Sequence, residues 1–234
     1  MTASLLHNTP FTLHVDPISG ALGLSKAGDK YPLVIDFAAP AFQKHLHQAL
    51  HQGDLLLKAV SPQTASSAFN LLDATAGLGY DGFLLAAKGH RMGYTVDLFE
   101  QHPVIYLLLQ DALKRALEDP QLAPIAHNIQ LSHQELTHYH GPYFKIIYLD
   151  PMFPKQAKSK SALSGKAMQY LDLLTQNPVS DERLVDFALH QATGKVILKR
   201  PKHAPIIFPE KRHATIVGKS HRFDIYSGVA LNLA

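Results

Sequence analysis

From residue 67 onward, short apolar runs alternate with longer stretches in which apolar residues recur every three or four positions. The short runs predict buried strands at residues 69–73, 93–99, 129–133, 146–150 and 195–199. The longer stretches predict helices near residues 81–88, 103–117, 161–175 and 181–192. In the second of these, Ile105, Leu108, Leu109, Ala112 and Ala116 fall on one face. Strands and helices in strict alternation predict a parallel α/β sheet. The C-terminal end breaks the rhythm. Ala214-Thr215-Ile216-Val217 and Arg222-Phe223-Asp224-Ile225-Tyr226 are joined only by Gly218-Lys219-Ser220-His221, so this pair must be antiparallel.

The first 66 residues read differently. Residues 11–15 and 21–24 alternate as strands around Asp16-Pro17-Ile18-Ser19-Gly20, a hairpin signal. Leu33-Val34-Ile35-Asp36-Phe37 is expected to be a third strand, and residues 40–60 a helical stretch. Residues 61–66 are the expected linker. The chain thus divides into an N-terminal hairpin and helix extension, 1–66, and an α/β domain, 67–234. At 234 residues it is long enough for one well-cored domain with a small appendage.

Composition removes several possibilities. There is no cysteine, which excludes disulfides, thiolate zinc sites and cysteine nucleophiles. No run approaches the roughly 18 apolar residues that cross a bilayer. The first seven residues lack the basic and apolar segments of a secretory signal, so a cytoplasmic location is expected, with no membrane partner. Fifteen histidines are present, yet His133, His138 and His140 match no familiar ligand spacing, and no metal is expected.

Charge changes the picture more. The net charge is +3, but residues 141–234 carry fourteen Lys and Arg against seven Asp and Glu, while residues 1–140 carry eight against twelve. Lys155, Lys158, Lys160, Lys199, Arg200, Lys219 and Arg222 are the candidate contacts of a polyanion-facing side.

The candidate chemistry sits where predicted strands end. Gly77 and Gly79, in the loop after the first strand of the α/β domain, permit positive φ and close approach of a ligand to the backbone. With Gly82 they spell GxGxxG, which keeps a nicotinamide or flavin cofactor in play. Two features oppose a dinucleotide. Three residues separate Asp73 from Gly77, whereas the dinucleotide fingerprint crowds its glycines against the strand. Carboxylates at Asp73 and Asp81 would also repel a pyrophosphate. They suit the ammonium of an amino-acid-bearing cofactor such as S-adenosyl-L-methionine. Glu100 ends the next strand, where an acid commonly accepts both ribose hydroxyls. Glu135 and Leu136 follow the third strand, at the expected place for adenine. Asp150-Pro151-Met152-Phe153-Pro154 ends the fourth. There a carboxylate and a backbone carbonyl can accept the two N–H bonds of a planar amino group while the Phe153 ring stacks on its base. The antiparallel end favours a methyltransferase-type sheet over a fully parallel one.

These motifs resemble the 16S rRNA (guanine(1516)-N(2))-methyltransferase family, ribosomal RNA small subunit methyltransferase J. The resemblance rests on residues 73–79 with Asp81, on Glu100 with Pro103, and on Tyr148 through Pro154. Ser161-Ala162-Leu163, Lys199-Arg200-Pro201 and residues 218–226 extend it. It implies a class I S-adenosylmethionine-dependent methyltransferase fold: Rossmann-like, with a mostly parallel seven-stranded sheet, an antiparallel terminal hairpin and a small N-terminal α+β extension. It implies cofactor contacts at Tyr80, Asp81, Glu100, Gln101, Glu135, Leu136 and Asp150, beside Asp73, Gly77 and Gly79. It implies catalytic roles for Asp150, Pro151 and Phe153, and 16S rRNA or the small ribosomal subunit as partner. This chain departs from the family in having Gln101 and His102 after the ribose acid, and histidines rather than arginines along residues 45–51. An adenine-N6 or protein-glutamine methyltransferase, an NAD-dependent oxidoreductase and a non-catalytic RNA-binding module remain alternatives on the residues alone.

Overall fold

The computed structural model describes residues 6, 9–61, 69–151, 165–175 and 179–229. A hairpin of β1 (Phe11–Val15) and β2 (Leu22–Lys26) opens the chain, held at its turn by the Asp16 carboxylate, which accepts the Ile18 and Ser19 N–H groups. The expected third strand does not form. Leu33 makes one isolated bridge to Leu24, and the backbone then turns its polar groups elsewhere. The Ile35 carbonyl accepts from the Arg115 guanidinium, and the Asp36 carboxylate accepts the Ala38 N–H. Ile35 and Phe37 are buried by packing against helices rather than by strand pairing, with Phe37 stacked 4.2 Å from Phe83.

The helical stretch that follows is two helices, α1 (Pro40–Gln52) and α2 (Leu55–Val60). Gly53 at φ 91° breaks the first, and Asp54 starts the second by accepting the Leu56 and Leu57 N–H groups. The expected linker lies, after Ser61, outside the described residues.

The α/β region runs β3 (Asn70–Asp73), α3 (Tyr80–Met92), β4 (Thr95–Glu100), α4 (Pro103–Glu118), α5 (Ala123–Ala126), β5 (Ile129–His133), β6 (Phe144–Leu149), α6 (Lys166–Leu174), α7 (Asp181–Gln191), β7 (Ala192–Pro201), β8 (Arg212–Val217) and β9 (His221–Ser227). The strands form one seven-stranded sheet in the order β5-β4-β3-β6-β7-β9-β8. All neighbours from β5 to β7 pair parallel, and β9 is antiparallel to both β7 and β8. The expected strands and antiparallel end are present; β7 is longer than its apolar run because it pairs on both edges.

Period-two alternation divides the core. Leu71, Ile146, Tyr148, Ile197 and Phe223 face a layer containing α3, α4 and the N-terminal hairpin and helices. Leu72, Ile147, Leu149, Val196 and Leu198 face α7. Burial on both faces explains why the central strands read as continuous apolar runs. The chain reverses its direction of sheet growth between β3 and β6, so a crevice opens at their C-terminal ends.

Candidate active site

Two strand ends meet at that crevice. Asp73 lies opposite Tyr148 in the β3–β6 register, which brings the loop after β3 against the residues after β6. The Ala74 N–H donates to the Tyr148 carbonyl at 3.0 Å, and the Asp150 N–H donates to Thr75 Oγ1 at 2.6 Å. Gly77 and Gly79 take positive φ, 53° and 77°. At Gly77 an added Cβ would have only the Thr75 oxygen within 4 Å, so conformation, not crowding, asks for glycine there. At Gly79 it would lie 2.4 Å from Leu109 Cδ1, so space asks for it as well. Gly82 serves packing: its Cβ would strike Leu98 at 2.5 Å.

The glycine loop leads into α3, whose first turn presents Tyr80 and Asp81. The Tyr80 ring packs against Phe37 and Phe42, so the N-terminal segment backs this wall of the crevice. Asp81 Oδ2 accepts from Tyr148 Oη at 2.6 Å and from Lys199 Nζ at 2.9 Å. Lys199 Nζ also donates to Asp150 Oδ2 at 2.8 Å. Burial raises the Asp73 carboxyl well above the usual range, and the nearby Asp81 and Asp150 charges add to it. Burial also raises Asp150, with Lys199 opposing the shift. For Lys199 itself burial would lower the ammonium, but Asp81 and Asp150 outweigh it and hold the group charged.

On the other side of the cavity, Glu100 is 6% exposed at the end of β4. Its Oε2 accepts the Gly77 N–H at 2.9 Å and its Oε1 the His102 N–H at 2.6 Å. Burial pushes the carboxyl up to about 7, against these backbone bonds. The Gln101 carbonyl lies 2.9 Å from His133 Nε2. Glu135 and Leu136 sit at the start of a 3₁₀ turn, Leu136–His138, and line the same cavity of about 350 Å³ as Asp73, Glu100 and Asp150. Pro151 closes the described part of the Asp-Pro motif on that lining. Phe153, Lys155, Lys158 and Lys160 lie outside the described residues.

The basic candidates need correction. Arg200 is buried and paired with Asp181, and Arg222 is buried against Asp224 at 2.9 Å and donates to the Lys202 and Ala204 carbonyls. Lys199 faces the cavity. None of the three is part of an open basic surface; Lys219 is exposed as expected. Thr75, Tyr148 and the site position of Lys199 were not assigned from sequence. The signal for Lys199 was available, because Val196-Ile197-Leu198 ends a buried strand one residue before it.

The acidic cleft beside a glycine cradle suits a cationic, amino-acid-bearing adenosine cofactor, and Glu100 keeps acceptor capacity beyond its two backbone bonds. A pyrophosphate would meet Asp81 and Asp150 across one lysine. Fold and cleft define a class I S-adenosylmethionine-dependent methyltransferase, and the SAM_MT model of SAM-dependent methyltransferases matches residues 3–228. The chain belongs to that family and, within it, to ribosomal RNA small subunit methyltransferase J. It is 38% identical to the Pseudomonas paraeruginosa protein of that name over 207 residues, 87% of this chain and 77% of the relative. It is 33% identical to the Haemophilus influenzae one over 233 residues, 97% and 88%. Among solved structures it is similar to the SAM-dependent methyltransferase NGO1261 of Neisseria gonorrhoeae, with TM-score 0.66 and 30% identity, covering 89% of this chain and 79% of that one.

Proposed function

We propose that this enzyme methylates the exocyclic N2 of a guanine in 16S rRNA of the small ribosomal subunit, in the cytoplasm. The observation that carries the reading is the position of Asp150-Pro151 at the switch-point crevice, beside the glycine loop, in a chain whose relatives are named for small-subunit rRNA. S-adenosylmethionine supplies a methyl group already activated on a sulfonium. The residues proposed to hold it are Asp73, Gly77, Gly79, Tyr80, Asp81, Glu100, Gln101, Glu135 and Leu136.

The protein's task is alignment, because the amino lone pair of guanine is delocalised into its ring. The Asp150 carboxylate accepts one amino N–H and the Pro151 carbonyl the other, which turns the lone pair toward the methyl group. The carboxylate also stabilises positive charge as it develops on nitrogen. Phe153 stacks on the base after it leaves its helix, a step costing a few kcal/mol. Lys219, Lys155, Lys158 and Lys160 are the proposed phosphate contacts.

The test uses small subunits lacking the modification, with mass mapping of the product nucleoside. The expected product is N2-methylguanosine. Asp150→Ala is expected to lower the methyl-transfer rate by about 10²–10³-fold. A methyl on adenine N6 or on protein glutamine, or undiminished transfer by the variant, would overturn the reading.

A further inference from the structure

Lys199 stands at the C-terminal end of β7, next to the strand that ends in Asp150. The β6–β7 register pairs Leu149 with Leu198, which places Lys199 beside Asp150 across the sheet. On its other edge β7 pairs Lys199 with Phe223 of β9, so its backbone is fixed from both sides. Its ammonium bridges two carboxylates from different elements, Asp150 after β6 at 2.8 Å and Asp81 of α3 at 2.9 Å. Both contacts go to Oδ2 atoms. Among the described residues no hydrogen bond reaches Asp150 Oδ1. Asp150, Asp81 and Lys199 all line the same cavity.

We propose that Lys199 is a positioning residue of the methyl transfer, holding Asp150 ionised and turned so that Oδ1 receives the amino group of the target base. The proposal deepens the reading above and rests on it for the amino acceptor. A lysine is suited to the task in a way a neutral donor is not. Asp150 is half-buried and lies among further acids, Asp73 from β3 and Asp81 from α3, with the buried Tyr148 hydroxyl on Asp81. Burial, and the Asp81 charge beside it, favour a protonated Asp150, whose O–H would compete with the amino group as a donor. His221, at the start of β9, faces Asp150 from the strand next to β7, and Lys199 is held charged by Asp81 and Asp150. The ammonium also separates Asp81 from Asp150, which would otherwise repel each other across the cleft.

The experiment is the pH profile of the single-turnover methyl-transfer rate at saturating S-adenosylmethionine, on small subunits lacking the modification. It compares the wild type with Lys199→Met and Lys199→Arg. With Lys199→Met, the fall in rate on acidification is expected to begin at higher pH, so that the rate at pH 6 drops about tenfold or more relative to that at pH 9. Lys199→Arg, which keeps the charge, is expected to return the limb toward its wild-type position. An unmoved limb, or an equal loss at every pH, would overturn the proposal in favour of a merely structural lysine. Should Lys199→Met fail to fold by circular dichroism, Lys199→Gln is measured instead. It can still donate to either carboxylate but is neutral, and the same displaced limb supports the role of the charge while an unmoved one refutes it. Mapping the product in the same samples keeps the two claims apart. A methyl on another amino group would overturn the guanine assignment while leaving the limb as the measure of Lys199.

Discussion

Glu100 shows what burial does to a side chain that is expected to bind. Its two oxygens already accept the Gly77 and His102 N–H groups, and burial still pushes the carboxyl up to about 7. The sign follows from the raised value. The fold prefers the protonated acid, so Glu100 contributes stability below the ordinary carboxylate range near 4.3, and loses it as pH rises through about 7. Ligand binding has the opposite preference, because ribose hydroxyls donate to a carboxylate. Calorimetric titration between pH 5.5 and 8.5 is therefore expected to show S-adenosylmethionine affinity rising with pH and levelling above about 7. Glu100→Gln is expected to bind about tenfold more weakly or worse and to lose that pH dependence, since one backbone N–H then faces an amide NH2. Equal affinity in the variant would remove Glu100 from the binding set. At this scale the site was largely legible. Gly77, Gly79, Asp81, Glu100 and Asp150 stood at strand ends and helix starts, and those places are set by local pattern. Lys199 was visible as a residue, but its partners were not, because Asp81 and Asp150 are 118 and 49 positions away.

Among the elements, the antiparallel edge answers what charge counting could not. Arg222 holds Asp224 through Nε and reaches the carbonyls of residues 201, 202, 204 and 205, so it fastens the segment after β7 to β9. Removing it leaves Asp224, which is fully buried, with Arg212 and Thr215 as its remaining side-chain partners among the described residues. Arg222→Ala is expected to cost about 3 kcal/mol in urea unfolding and to leave the salt dependence of RNA binding unaltered. A variant of wild-type stability with a shallower salt slope would show Arg222 to be a phosphate contact. α3, α4 and α7 formed where periodicity placed them. Their starts also follow the sequence: Ser180 caps α7 through the Arg183 N–H, and the His102 ring caps α4 through the Val104 N–H. The strand expected at residues 33–37 failed for a reason absent from its own residues. Its backbone carbonyl at Ile35 is claimed by Arg115, eighty positions on.

Across the whole molecule, the N-terminal segment is built into the same core as the sheet. Phe11, Leu24, Ile35, Phe37, Phe42 and Leu46 share one apolar cluster with Phe83, Leu108 and Leu109. The polar link is Arg115, which donates to Asp111 at 2.9 Å and to the Ile35 carbonyl, while Asp111 accepts the Leu22 N–H at 3.0 Å. Lys195 adds a second link from β7 to the Ala59 carbonyl at 2.6 Å. Arg115→Ala is expected to cost about 1–2 kcal/mol and to lower the melting temperature by a few degrees. Calorimetry is expected to show a single transition in both proteins. A separate low-temperature transition, moved alone by the variant, would instead define residues 1–66 as an independently unfolding unit.

The sequence by itself determined the order of the strands and main helices from residue 67 onward, the antiparallel end, the glycine loop and the place of Asp150-Pro151 at a strand's end. Each rests on spacing along the chain: a period of two or 3.6, a turn too short for a crossover, or a motif at a strand's end. Only the tertiary structure decided which charges meet. Lys199 joined the site because β7 lies beside β6, and Arg200 went into a buried pair with Asp181 of α7, while Arg222 is buried against Asp224 of its own strand. A lysine or arginine looks the same in sequence whether it faces solvent or a buried carboxylate; its neighbours across the sheet settle the difference.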